Sequence, residues 1–483
     1  MGTSQVVVVG GGVGGLAVAI RRAVAGDRVT LYERNDVIGG KLAEWRAEGH
    51  TFDIGPSLVT LPALFDELFA LAGTSIDDEL DLVRLDPQFS YRWSDGSSLV
   101  LPDDRDAARD AVEAFSPGQG AVYERFIDHG QRIWETSERT FFAGPMNHPV
   151  SLMRRMRSPR DLWRIDPLRT LHRAASVFDD PRLVQWAGRY ATYSGSSPYR
   201  APATLACIPW IEAGYGCWYP LGGLGALRDA LGRVARRVGV EIHTGVEVTS
   251  IDTASDRVRS VRLADGAVTP ADVVIANADA EHLYRDLLGD RRGLRRVQRA
   301  ERSTSGFVIC AAVTGTTEGL AHHNVWFSDD YRREFDEIAA GGFPTDPTVY
   351  ACVSSVTDPT QAPAGEENWF LLVNTAAGIA IDADRAAEAV FAALERRGVD
   401  LAGRARVLAT LTPADLEQRY RAPGGAIYGT SSNGRRAAFV RPRNLTGIDG
   451  LYLVGGSSHP GGGLPLVTMS ARIVDEAISG MRR

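Results

Sequence analysis

The chain has 483 residues, 44% of them hydrophobic and 23% charged, with a formal net charge of −7 and a pI near 5.8. That length suits two or three domain-sized units around a large core, and the acidic balance argues against a nucleic-acid partner. No apolar run is long enough to cross a bilayer, the glycine-broken N-terminus lacks the basic flank of a signal peptide, and four cysteines without CxxC spacing or a matching histidine cluster predict reduced thiols, no metal site and a cytoplasmic protein.

Taken in chain order, Val6 to Val9 are β-branched with no polar alternation, which predicts a central parallel strand buried on both faces. The strand runs into GGGVGG. Gly10 permits a tight turn, Gly12 lets the backbone approach a pyrophosphate, and Gly15 allows close helix–strand packing. After Val13, a helix from about Gly14 to Ala25 points its N-terminal amides at the phosphates. A second strand, Arg28 to Tyr32, ends at Glu33, placed to bond a ribose hydroxyl and to repel a 2′-phosphate, with Arg34 beside it. Gly39, Gly40 and Lys41 follow, a second glycine pair with a basic side chain near the phosphates, as in FAD enzymes of the glutathione-reductase type. Gly55 and Pro56, after the strand-like HTFD, make a turn whose backbone can lie against a flat ring.

Beyond Ser75 come short strands to about Leu101, then a long helical region from Asp103 to about Ile211. GCWYPLGGLGAL opens a further helix, and VEIHTGVEV reads as a strand pair passing the adenine end, with Val248 facing the cofactor. DVVIANADA is a buried strand returning to the cofactor layer at Asn277. From about Glu281 to Ala437 the chain leaves again, and from Gly450 it comes home through LYLVGGSSHPGGGLP, where Gly455, Gly456, Pro460 and Gly463 surround His459. A dinucleotide gripped by both chain ends favours flavin over nicotinamide. The predicted class is α/β: an FAD-binding Rossmann domain (1–74, 215–280, 440–483) interwoven with a mixed-sheet substrate domain (75–102, 281–439) and a helical, membrane-facing subdomain (103–214).

Residues 134–173 interleave Phe141, Phe142, Met153, Met156 and Trp163 with Arg154, Arg155, Arg157, Arg160, Arg164, Arg169 and Arg173. Basic residues among aromatic and aliphatic ones compose a segment that can lie on anionic lipid. The competing expectation is a solvated helix face, or arginines paired with carboxylates.

The ordered set GGGVGGL, YERNDVIGGK, FDIGPS, GCWYPLGGLGAL, VVIANAD and LYLVGGSSHPGGGLP resembles the bacterial-type phytoene desaturase family. So do AHHNVWFSDDYRREFDEI, RYATYSGSSPYRAPATL and CVSSVTDPTQAPAG, so the resemblance covers nearly the whole chain. Ser458, Gly462 and Lys41 depart from the residues more usual in that family. The resemblance implies an amine-oxidase-like fold, FAD, and a long apolar polyene substrate, a carotenoid precursor such as phytoene or a hydroxylated carotenoid; no Cys or His within the motifs has the spacing of a flavin tether, so non-covalent binding is expected. It also implies O2 or a quinone as electron acceptor and contact with the inner face of the cytoplasmic membrane.

Desaturation moves a hydride to the flavin, whose chemistry is the cofactor's own, and a proton leaves the neighbouring carbon. His459 is the candidate catalytic base; Glu212 and Tyr215 are weaker ones, read as a helix-end carboxylate and a packed tyrosine. Two alternatives stand beside the desaturase reading. One is the same flavin fold acting on a polyene acyl chain as dehydrogenase or isomerase. The other is a non-enzymatic prenyl-lipid escort, against which the intact glycines and Glu33 argue.

Overall fold

The computed structural model describes residues 3–146, 149–435 and 437–481. A sheet of five parallel strands takes the order Leu451–Leu453, Val273–Ala276, Gln5–Val9, Arg28–Tyr32, Glu241–His243. The N-terminal strand is central, with Val6 to Val8 fully buried, as its unbroken valine run requires. Its neighbour on one side comes from residue 273 onward, and beyond that lies a strand from residue 451. Both chain ends therefore meet in one sheet.

They also meet in the helix layer. Val13–Val24 packs against the C-terminal helix Leu464–Met481 and against Leu224–Arg237. Arg22, fully buried, bonds Asp27 at 2.6 Å and Asp475 at 2.8 Å, so one guanidinium ties the first helix to the last. A charge so deeply buried is tolerable only because both partners are in place.

A seven-stranded mixed sheet is made from Ala405–Leu411, Ser305–Thr314, Glu366–Thr375, Val349–Cys352, His323–Trp326, Phe89–Arg92 and Ser98–Leu101, in that order. Helices from Arg105–Phe115 to Cys207–Tyr215 form the layer between the early strands and the return to the parallel sheet. A bridge of two short strands, Leu82–Arg84 and Trp218–Pro220, ties the two ends of that helical excursion together.

One expectation needs correction. VEIHTGVEV is not a strand pair: Glu241–His243 is an edge strand of the parallel sheet, whereas Val248–Ala254 begins a separate three-stranded antiparallel sheet. The break comes at Gly245, where φ is +70° and the amide bonds Asn35 O. Val246 then donates to Glu33 O, so the connection wraps around the end of the second parallel strand instead of turning back on itself.

Candidate active site

The first glycine turn is shaped by one side chain from the middle of the chain. Asn277 follows the strand Val273–Ala276 and donates from Nδ2 to Gly10 O at 3.3 Å. A Cβ on Gly10 would fall 2.5 Å from Asn277 O, and one on Gly12 2.7 Å from Asn277 Nδ2. On Gly14 it would fall 3.0 Å from Asn277 Oδ1, and on Gly455 2.6 Å from the same atom. Asn277 thus sits between the N-terminal and C-terminal glycine turns, and each glycine yields the room it occupies. Gly15 serves packing alone: its Cβ would meet Gly10 O at 2.2 Å.

The second glycine pair lies directly on the first. Gly39 donates to Gly11 O at 2.7 Å, and a Cβ on Gly40 would stand 3.1 Å from Gly12 Cα. Gly55 is enclosed as tightly, its Cβ position being 1.7 Å from Lys41 O. Lys41, half-buried, donates to Ile427 O at 2.5 Å and Ala426 O at 3.2 Å. Burial pulls its amine down to about 8, against the raising influence of Asp279. Arg34 donates to the carbonyls of Gln418 and Arg419.

Glu33 is buried, with Oε2 accepting from Gly11 N at 2.7 Å and Oε1 accepting from Asn35 N and Nδ2 at 2.9 and 2.7 Å. Three of its lone-pair directions are filled, and the fourth is free for a ligand hydroxyl. Glu33→Gln turns one acceptor into a donor facing another donor. Loss of a charge-assisted bond of about 1.5–3 kcal/mol should weaken flavin binding about ten- to a hundredfold, read by fluorescence titration of the apoprotein. Unchanged affinity would mean that Glu33 serves the loop alone.

One cavity, of about 960 Å³, connects all of this. Of the residues predicted to bind the cofactor, every one but Gly15 lines it, from Glu33 and Val248 at one end to Gly455, Gly456, Pro460 and Gly463. An elongated, glycine-walled space with helix N-terminal amides and a ribose-placed carboxylate fits a flavin adenine dinucleotide. The same cavity is also lined by Ser57, Tyr350, Phe370 and Leu372, by Cys207, Ile208 and Ile211, and by the exposed Leu162, Trp163 and Leu168.

His459 does not face this space. It is buried with Nε2 3.1 Å from Phe141 O, its ring edge-on to Phe141 at 4.7 Å. Burial pushes its imidazole down to about 3, so it is neutral. It fastens the C-terminal loop to the helical layer and is no base for a ligand in the cavity. Tyr215 is 41% exposed and accepts from Trp134 Nε1, outside the cavity wall. Glu212 is the reverse: expected at a helix end, it is buried against Tyr190 and Tyr193 and lines the cavity.

The fold also assembles groups that spacing did not foretell. Pairing of His323 with Cys352 across neighbouring strands brings His322, His323 and Cys352 within 4.8 Å of one another. A cysteine with matching histidines is thus present, contrary to expectation. Both imidazoles are held by hydroxyls, His322 Nδ1 by Thr357 at 2.8 Å and His323 Nδ1 by Tyr350 at 2.9 Å, and burial keeps them neutral. Asp53 anchors the helix Leu224–Arg237, accepting from Leu224 N at 2.8 Å. Burial pushes its carboxyl up to about 7. A carboxyl with a raised folded-state pKa binds its proton more tightly in the native state, so its stability contribution is full at low pH and is lost as pH rises through 7. Asp53→Asn, which never ionises, should therefore gain on the wild type by up to about 4 kcal/mol between about pH 4 and pH 8. Denaturant titrations at the two pH values check this; an equal pH dependence would show that Asp53 titrates normally.

The 53 Lys and Arg residues include the arginines of 154–173, and part of that set is tied down. Arg155 bonds the carbonyls of Thr140, Gly144 and Pro145, Arg164 reaches Asp161, and Arg169 pairs with Asp166. Arg154, Arg157, Arg160 and Arg173 are exposed. Of the cavity-lining residues Trp163 is 70% exposed, with Leu162 and Leu168 also uncovered, and Met153, next in sequence to the cavity-lining Leu152, is 68% exposed. Among the described residues no helix is long and apolar enough to cross a membrane.

The sequence matches the family described as flavin containing amine oxidoreductase over residues 13–478. It is 35% identical to a 4,4'-diapolycopene oxygenase of Methylomonas sp., covering 98% of each chain. It is 33% identical to a 1-hydroxycarotenoid 3,4-desaturase of Flavobacterium sp., covering 98% of this chain and 99% of that one. A solved structure of putrescine oxidase bound to putrescine superposes with a TM-score of 0.67 at 15% identity over 99% of both chains, a likeness of fold.

Proposed function

The chain belongs to the flavin-containing amine oxidoreductase family, and from that premise we propose that this flavoenzyme desaturates a long apolar polyene of the carotenoid class. The observation that carries the reading is the single continuous cavity, which joins the glycine-walled dinucleotide end to an apolar channel open at the surface. Full-length relatives named for carotenoid oxidation support it.

Bound FAD supplies the two-electron acceptor. The protein's part is to bind, orient and keep dry. Asn277, Gly10, Gly12 and Gly39 shape the dinucleotide end, and Glu33 offers its remaining lone pair to a ribose hydroxyl. The turn at Gly55 and Pro56, pressed on Lys41 O, forms part of the cavity wall. Ile208, Ile211, Phe370 and Leu372 exclude water from the channel. Removing a hydride from an allylic carbon leaves positive character that the polyene itself delocalises, so the neutral, averted His459 is no obstacle to the reaction.

The exposed Met153, Leu162, Trp163 and Leu168 with the exposed arginines Arg154 and Arg160 support docking of the mouth on an anionic bilayer, from which a polyene can enter without crossing water. Anaerobic mixing of the flavin-loaded protein with a carotenoid-length polyene in detergent tests the reaction: the flavin absorbance should bleach as a new conjugated double bond appears. Bleaching only by a polyene acyl chain on a carrier would reassign the substrate. A change in double-bond geometry with no bleaching would make the chemistry isomerisation.

A further inference from the structure

At one place on the cavity wall a carboxylate and a guanidinium come together. There Glu212, on the helix Cys207–Tyr215, is buried and faces the cavity. Its Oε2 accepts from Tyr190 Oη at 2.7 Å and its Oε1 from Tyr193 Oη at 2.5 Å. Each carboxylate oxygen keeps a second acceptor position. Beside it Arg189, also buried and cavity-lining, lies among the rings of Phe89, Tyr91, Tyr193 and Tyr350 at 5.0–5.9 Å from their centroids.

Among the described residues that guanidinium makes one hydrogen bond, Nη1 to Tyr193 Oη at 3.4 Å. Five N–H donors are poorly served by one long bond and four π faces. A buried, under-bonded cation next to a carboxylate with spare acceptors is costly in a channel meant only for hydrocarbon. A hydroxyl resolves both deficits at once: its oxygen accepts from Arg189 and its proton goes to a Glu212 oxygen. We propose that Arg189, Tyr193 and Glu212 form a subsite for a hydroxyl on the end of the polyene, so that the chain selects hydroxylated over plain hydrocarbon polyenes.

The subsite's place sets which bond reacts. Arg189 lies over Tyr350, and Tyr350 Oη bonds Ser57 Oγ at 2.5 Å, two residues past the turn at Gly55 that walls the cofactor end. A hydroxyl held there keeps the terminal carbons, not the middle of the polyene, next to the cofactor. Burial pushes the Glu212 carboxyl up, against the pull of Tyr193, Arg189 and Tyr190, which favours a group able to share a proton with it.

This inference rests on the polyene reading, and its test separates the two. Flavin-loaded protein is mixed with two polyenes of equal length that differ by one terminal tertiary hydroxyl, with affinity read from polyene absorbance shifts and turnover from anaerobic bleaching. The hydroxylated polyene should bind about ten- to a hundredfold tighter, as expected for hydrogen bonds to charged groups. In Glu212→Gln, Arg189→Lys and Tyr193→Phe, the last removing only a hydroxyl, that ratio should collapse towards unity. Equal binding of the two polyenes by the wild type, or a ratio that survives all three substitutions, overturns the subsite. A hydroxyl preference that these substitutions abolish, with no bleaching by either polyene, upholds the subsite and overturns the desaturase reading. If neither polyene binds, both fall.

Discussion

Gly12→Val is expected to give a folded protein that retains no flavin. The backbone at Gly12, with φ −69° and ψ 173°, is one that valine readily adopts, so the effect does not come from strained dihedrals. It comes from contact: the new Cβ alone would stand 2.7 Å from Asn277 Nδ2. Relief requires either displacing Asn277, which bonds Gly10 O and packs against Gly455, or rotating the methyls into the cavity where a pyrophosphate must approach. Both routes remove the cradle. The purified variant should lack the flavin absorbance band, with near-unchanged far-ultraviolet circular dichroism. Gly12→Ala, with one clash and no branching, should retain a fraction of the flavin. Full flavin occupancy in Gly12→Val would sink the assignment of this turn to the pyrophosphate.

The dinucleotide end was legible in the sequence because it is written locally. Gly10 to Gly15 lie within one strand–helix–strand unit, with Glu33 and Gly39 just after it, and local spacing places them without knowledge of the rest. Asn277 was legible as a member of the site but not in its role, since its packing between Gly12 and Gly455 exists only after three distant segments meet. His459 shows the limit from the other side. Its neighbours Gly456 and Pro460 line the cavity, yet the ring turns to Phe141, 318 residues away in the chain. A loop's sequence does not say which of its faces a side chain takes. Arg189 was invisible for a related reason: in sequence it is one of 53 basic residues, and only the fold sets it among four aromatic rings beside Glu212. The turn at Gly245 was misread because a glycine between two strand-like runs is equally the mark of a hairpin and of a change of sheet.

Trp163→Glu combined with Leu168→Glu is expected to abolish binding to anionic vesicles. Trp163, 70% exposed, and Leu168 stand at the rim of the cavity mouth, where neither packs fully against the protein, so the double substitution should cost little folding stability. On a bilayer each would bury an apolar side chain worth about 1.5–3 kcal/mol, so losing two removes about 3–6 kcal/mol and lowers partitioning by a hundredfold or more. The new carboxylates add repulsion from an anionic surface, on which each nearby arginine is worth about 1 kcal/mol. Cosedimentation with vesicles containing phosphatidylglycerol should move from pellet to supernatant. Wild-type binding should weaken as salt screens Arg154 and Arg160, and fall further when the anionic lipid is omitted. Turnover separates docking from chemistry: the variant should still act on polyene presented in detergent while losing activity on polyene held in vesicles. Undiminished vesicle binding by the variant would place the membrane contact elsewhere on the molecule, and loss of both activities together would mean that Trp163 and Leu168 shape the channel itself.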